Sequence, residues 1–161
     1  MVRRSIALTA VLAASLAAAG ELAPVTVKLP SGTALRGELA QDDDDRARGL
    51  MFRTEEQFQP DQAMVFLFET MELQSFWMKN MNFAIDIVWL SPEMKIVHVE
   101  RDVPPCTKEE RDCPLYTPVQ KAQLVVELYR GTYAKEKLKV GDAIEVRTPD
   151  GKPLAVPGKD P

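Results

Sequence analysis

From Pro24 onward the chain is cut into short apolar runs separated by turn residues, a pattern that points to a β-rich fold. Val25-Thr26-Val27-Lys28-Leu29 alternates with a period of two, Pro30-Ser31-Gly32 turns the chain, and residues 34–40 read as the second arm of a hairpin. Ala63-Met64-Val65-Phe66-Leu67-Phe68 is apolar on both faces, as in a strand covered on both sides. Residues 85–90 and 95–100 flank Ser91-Pro92-Glu93-Met94 and predict an antiparallel pair. Residues 123–129 make another strand, ended by Gly131, after which Thr132 can cap a helical turn or two through Lys137. Val140-Gly141-Asp142 leads into a last strand over residues 143–148. The spacing predicts an α+β, β-rich single domain over residues 24–149. It has about seven mostly antiparallel strands in a barrel-like sheet, two or three short helices, and a flexible tail over residues 150–161.

The N-terminus does not belong to that pattern. Arg3 and Arg4 precede an uncharged apolar run over residues 6–19, and Ala17-Ala18-Ala19 offers the small residues a signal peptidase reads. The run has 14 residues, fewer than the ~20 a membrane helix needs. Residues 1–19 are therefore expected to be a signal peptide, cleaved after Ala19 with Ala23 as a second possibility. The destination is periplasmic or secreted, with no stable membrane span left after cleavage. The remaining 142 residues suffice for one core, and losing Arg3 and Arg4 takes the net charge from −4 to −6. With no basic stripe, nucleic acid is not an expected partner.

Cys106 and Cys113 are the only cysteines. In an exported chain so close a pair reads as a structural disulfide. A zinc site would need more ligands than these and the single His98, and a redox pair would more typically be spaced Cys-x-x-Cys. No metal and no cofactor are expected. Asp42-Asp43-Asp44-Asp45 precedes Ala47, Leu50 and Met51, one face of a short helix that the aspartates would cap. A calcium loop would require a glycine turn and a distal glutamate, neither of which stands at the right spacing.

The polar residues with most to explain lie in Phe76-Trp77-Met78-Lys79-Asn80 and at Asp86, between Ile85 and Ile87. If residues 76–81 are extended, Lys79 and Asn80 point to opposite sides and share a site only where the chain turns. A plain account has Trp77 and Met78 in the core, Lys79 reaching solvent and Asn80 tying down a turn. Asp86, among apolar neighbours, calls for a cation, with Arg48, Arg53 or Lys79 as candidates. His98 faces Ile96 and Glu100 and reads as structural.

Taken in order, these segments resemble the family called domain of unknown function 192. The resemblance is carried by Arg46, Gly49, Leu50, Met51 and Arg53, by residues 63–68, and by Phe76-Trp77-Met78-Lys79-Asn80 followed by Ile85-Asp86-Ile87. Pro105-Cys106, residues 122–128 and residues 139–142 complete it. Met81 stands where the family usually has threonine, Phe83-Ala84 where it has Ile-Pro, and the usual hairpin glycine is replaced around Glu93-Met94. The resemblance implies a fold and names no activity.

Two functions fit. The first is a non-catalytic ligand-binding or accessory domain of the cell envelope, whose partner is a small molecule or an envelope protein. Its candidate residues are Arg48, Arg53, Trp77, Lys79, Asn80 and Asp86. The second is a small hydrolase-like enzyme with Asp86 or Glu127 as base and Lys79 and Asn80 stabilising developing negative charge. No phosphate loop, triad or cofactor fingerprint accompanies these residues, which favours binding.

Overall fold

The computed structural model describes residues 22–158. The expected signal peptide, residues 1–19, lies outside them. Among the described residues the strands are β1 (Ala23–Lys28), β2 (Ala34–Ala40), β3 (Gln62–Glu72), β4 (Ile85–Leu90), β5 (Ile96–Val103), β6 (Ala122–Tyr129) and β7 (Glu145–Arg147). The helices are α1 (Asp43–Arg48) and α2 (Thr132–Lys135), with a 3-10 turn at Glu110–Asp112. The strands form a seven-stranded sheet in the order β5-β4-β6-β3-β2-β1-β7. Neighbours are antiparallel except β2 and β3, which run parallel. A tight turn can only reverse the chain, but α1 and its flanking loops between Ala40 and Gln62 are long enough for a parallel crossover.

The sheet curls into a half-barrel whose two edges meet at one end. There Ile96 N–H donates to the Asp142 carbonyl at 2.9 Å and Ile144 N–H to the Met94 carbonyl at 2.9 Å, on either side of a Lys95–Ala143 bridge. The period of two then sorts the side chains into two cores. Val25, Val27, Val65, Val88, Leu124, Val126, Leu128 and Val146 fill the inside of the curl. Met64, Phe66, Ile85, Ile87, Trp89 and Val125 form the outer face of the central strands, covered by Leu50, Phe58, Met78, Met81 and Phe83 from the long connections. Strands β3, β4 and β6 are buried on both faces, which explains their unbroken apolar sequences.

Two local expectations are corrected. The helix lies earlier than Leu50 and Met51 suggest. Asp42 caps it by accepting the Asp45 N–H at 2.8 Å, Asp43–Asp45 occupy its first turn, and Gly49 ends it at φ 46°. Leu50 is buried from the turn beyond. The chain after Pro149 also continues to pack. Leu154 N–H donates to the Val146 carbonyl at 2.8 Å, and Leu154 and Val156 enter the inner core because their spacing of two presents both to the same side.

Cys106 and Cys113 are joined in a disulfide with Cα atoms 5.7 Å apart, closing the loop after β5. No helix of the described residues is long and apolar enough to cross a membrane.

A candidate functional site on the outer face of the sheet

Two carboxylates are buried in this sheet, and they differ in what holds them. Asp86 is fully buried on the inner side of β4, in line with Val88 and Leu90. In place of the expected cation, two backbone amides hold it: Asp102 N–H donates to Oδ1 at 2.9 Å and Tyr133 N–H to Oδ2 at 2.8 Å. Gly131 supplies no side-chain cap to α2, so Asp86 provides from another strand the acceptor a capping residue would have given. Its other oxygen pins β5 where the register slips and Asp102 takes φ 50°. The aspartate is a structural staple, and the general-base role considered for it loses its support.

Glu127 lies on the opposite face, on β6, with Met64 of β3 and Ile87 of β4 as its register partners. Only 5% of the residue is exposed, and its Oε2 is buried without a hydrogen-bond partner among the described residues. Beyond Met64, Glu38 of β2 lies in the same row, and Arg53 grips it with Nη1 to Oε1 at 2.7 Å and Nη2 to Oε2 at 2.6 Å. That pair engages the guanidinium whose charge acts on Glu127. Burial pushes the Glu127 carboxyl from an ordinary 4.5 up to about 8, against the opposing pull of the Arg53 charge. At neutral pH the group is therefore mostly a neutral acid.

Glu127 lines a cavity of about 260 Å³ walled by α1 and the turn after it, by Phe66, Phe68 and Phe76, and by Trp77 and Met81. The wall is built from the two motif segments, which lock together. Phe52 N–H donates to the Asn80 carbonyl at 2.8 Å, Asn80 Nδ2 contacts the Met51 sulfur at 3.8 Å, and Asn82 Nδ2 donates to the Arg53 carbonyl at 2.9 Å. Gly49 sits where a Cβ would come within 3.0 Å of the Phe66 ring. Arg46 crosses the rim, donating to the Leu67 carbonyl at 2.8 Å with its guanidinium 5.3 Å from the Phe68 ring centre.

Of the residues singled out from sequence, Arg48 and Trp77 share this cavity. Arg53 is beside it but engaged with Glu38. The chain does turn at Asn80, which is exposed at φ 56° and serves the turn, as the plain account expected. Lys79 is half-buried, with Nζ 5.2 Å from the Trp77 ring centre. Trp77 itself is 39% exposed and belongs to the cavity wall rather than the core. His98 is structural, packed 5.3 Å from Trp89 with Nε2 3.2 Å from Glu100. The sequence did name Glu127, but only as an alternative base. A charge inside Leu124-Val125-Val126-Glu127-Leu128 is as anomalous as Asp86, and that was the available signal.

The fold and the cavity together define a small curled half-barrel domain with a buried acid on its outer face. The chain belongs to the family DUF192, described as an uncharacterized ACR, whose model matches residues 26–146. A similar solved structure is a protein of unknown function from Novosphingobium aromaticivorans, 30% identical, covering 77% of this chain and 84% of that one with a TM-score of 0.66. Another, from Sinorhizobium meliloti and described as a "putative transcription regulator", is 27% identical and covers 79% of this chain and 98% of that one, also at 0.66. No curated protein matches the chain.

Proposed function

We propose that this protein is an exported, non-catalytic ligand-binding domain of the cell envelope, and that its site is the cavity over Glu127. The observation that carries the reading is the buried Oε2 without a partner at an aromatic-walled cavity. Buried polar atoms are nearly always satisfied, and one that is not, at the edge of a space large enough for a small molecule, is explained by a ligand. Export is supported by the basic and apolar start of the sequence and by the Cys106–Cys113 disulfide, which persists in oxidising compartments. A hydrolase built on Lys79, Asn80 and Asp86 would need them in one place, and Asp86 is on the far side of the sheet. A net charge of −4 gives no reason to carry the regulator description of the Sinorhizobium protein to this chain.

The methionines provide the test. Met51 and Met81 line the cavity or its wall, whereas Met94 lines a separate groove between the β4–β5 turn and residues 153–156. With the methionine methyls isotope-labelled, a screen of small envelope metabolites by NMR should yield ligands that move the Met51 and Met81 signals and leave Met94 in place. Ligands that move only Met94, or a broad screen that moves none of them, would overturn the reading.

A further inference from the structure

Resting on that binding reading, we infer that the cavity takes a small organic carboxylate with an apolar body, whose head accepts a hydrogen bond from the Glu127 carboxyl. The volume of about 260 Å³ lies just below the ~300 Å³ at which drug-sized sites begin, so the ligand is small. Apart from Glu127, the rim arginines and Ser75, whose hydroxyl pairs with that of Thr117 at 2.8 Å, the lining is apolar, mainly Leu50, Met51, Met81 and three phenylalanines beside Trp77, a surface for an apolar body.

The charges decide the head group. Aromatic walls with a carboxyl would ordinarily suggest a cationic ligand, held against the ring faces. Here protein cations already lie near two of those rings: the Arg46 guanidinium is 5.3 Å from the Phe68 centre, and the Lys79 ammonium 5.2 Å from the Trp77 centre. The groups around Glu127 agree. From β2 comes Glu38, neutralised by Arg53 in a two-pronged pair; α1 contributes Arg46 and Arg48; β3 and β4 offer only Met64 and Ile87. Arg46 has Asp43 as a partner and the charge of Arg48 acts on Asp45, but of the charged groups of α1 only the two guanidiniums line the cavity itself. An ammonium would meet this positive rim, whereas an anion is drawn to it.

An ionised Glu127 would repel that anion, and protonation removes the conflict. Held near 8 by burial, the carboxyl keeps its proton at neutral pH and can donate it to a ligand carboxylate, a charge-assisted bond stronger than a neutral one. A second carboxylate alongside raises the affinity for the shared proton further. No proton is transferred to solvent and no bond is made or broken.

Three probes with one body and different heads test the inference on the full chain: phenylacetate, phenylacetamide and phenethylamine, followed at the Met51 and Met81 methyls. Phenylacetate should bind tightest, and its Kd should be roughly tenfold weaker at about pH 9 than at about pH 7, following the protonated fraction of Glu127. Glu127→Gln, which keeps a donor but cannot titrate, should bind phenylacetate with no change between those two pH values. The inference is overturned if phenethylamine binds tightest, if phenylacetamide equals phenylacetate, or if affinity rises with pH. It is also overturned if none of the three moves Met51 and Met81 while other screened compounds do, an outcome that leaves the binding reading standing. If no compound moves them, the binding reading is what fails.

Discussion

Glu127→Gln should make the empty protein more stable, and by an amount that depends on pH. In the unfolded chain this carboxyl titrates near 4.5, and in the folded sheet near 8, because burial disfavours its charged form. Below the lower value both states are protonated and the residue contributes no pH dependence. Between the two values the unfolded state releases its proton and the folded state does not. Stability therefore falls as pH rises, by about 1.4 kcal/mol per unit. The loss amounts to about 3 kcal/mol near pH 7 and levels off at about 5 kcal/mol above the folded value. Glutamine has nearly the same shape and no charge in either state, so it removes the slope. Urea unfolding of both proteins across about pH 4 to pH 9 should give curves that coincide at the acid end and separate steadily towards neutral pH. The variant should be the more stable by about 3 kcal/mol near pH 7. Parallel curves with no separation would show that Glu127 titrates like an ordinary glutamate. In that case its burial without a partner is not what the folded protein has in solution.

Other substitutions probe the frame around the site. Asp86→Asn leaves one acceptor oxygen for two buried amides, so it should cost about 1–3 kcal/mol in the same unfolding assay, with faster exchange of the Asp102 and Tyr133 amide protons. Replacing both Cys106 and Cys113 with Ser should cost about 2 kcal/mol and preserve the far-UV circular dichroism spectrum, since the pair closes only a short loop. Phe52 is 70% exposed and holds φ 64°, which an aromatic residue adopts only at a cost, so Phe52→Gly should stabilise by about 1 kcal/mol. Gly49→Ala should do the opposite, losing about 1–3 kcal/mol, because a Cβ at its positive φ of 46° would meet the Phe66 ring. Equal and same-signed shifts in melting temperature for these last two would refute the strain argument.

How far the sequence could be read depends on the residue. Where local pattern decides the structure, it was legible: β2 and β4 run over the residues their alternation and turns predicted. The parallel pairing of β2 with β3 was not legible, because it depends on where a long connection lands rather than on any residue within the strands. The partner of Asp86 was misread for a related reason. Side chains can be searched for in a sequence, whereas every residue but proline carries the amide that holds Asp86, so only topology selects Asp102 and Tyr133. Lys79 and Asn80 are conspicuous because they directly follow three large apolar residues. The segment turns the chain and builds a wall, and Phe76 and Trp77 within it face the cavity.

The two buried acids also separate structure from function by a physical criterion. Asp86 has its needs met by two donors, one of them in the first turn of α2, which it caps, so it adds to the stability of the empty fold. Glu127 takes away from it: no described donor reaches its inner oxygen, and Arg53, whose charge acts on it, is engaged with Glu38. A leucine or glutamine at that position would serve the fold better, as Met64 and Ile87 beside it do. A residue that weakens the empty protein is tolerated where something outside the chain repays it. On the proposed reading that something is the ligand, which would fit between α1, the phenylalanines and Trp77 and would welcome a proton rather than supply one.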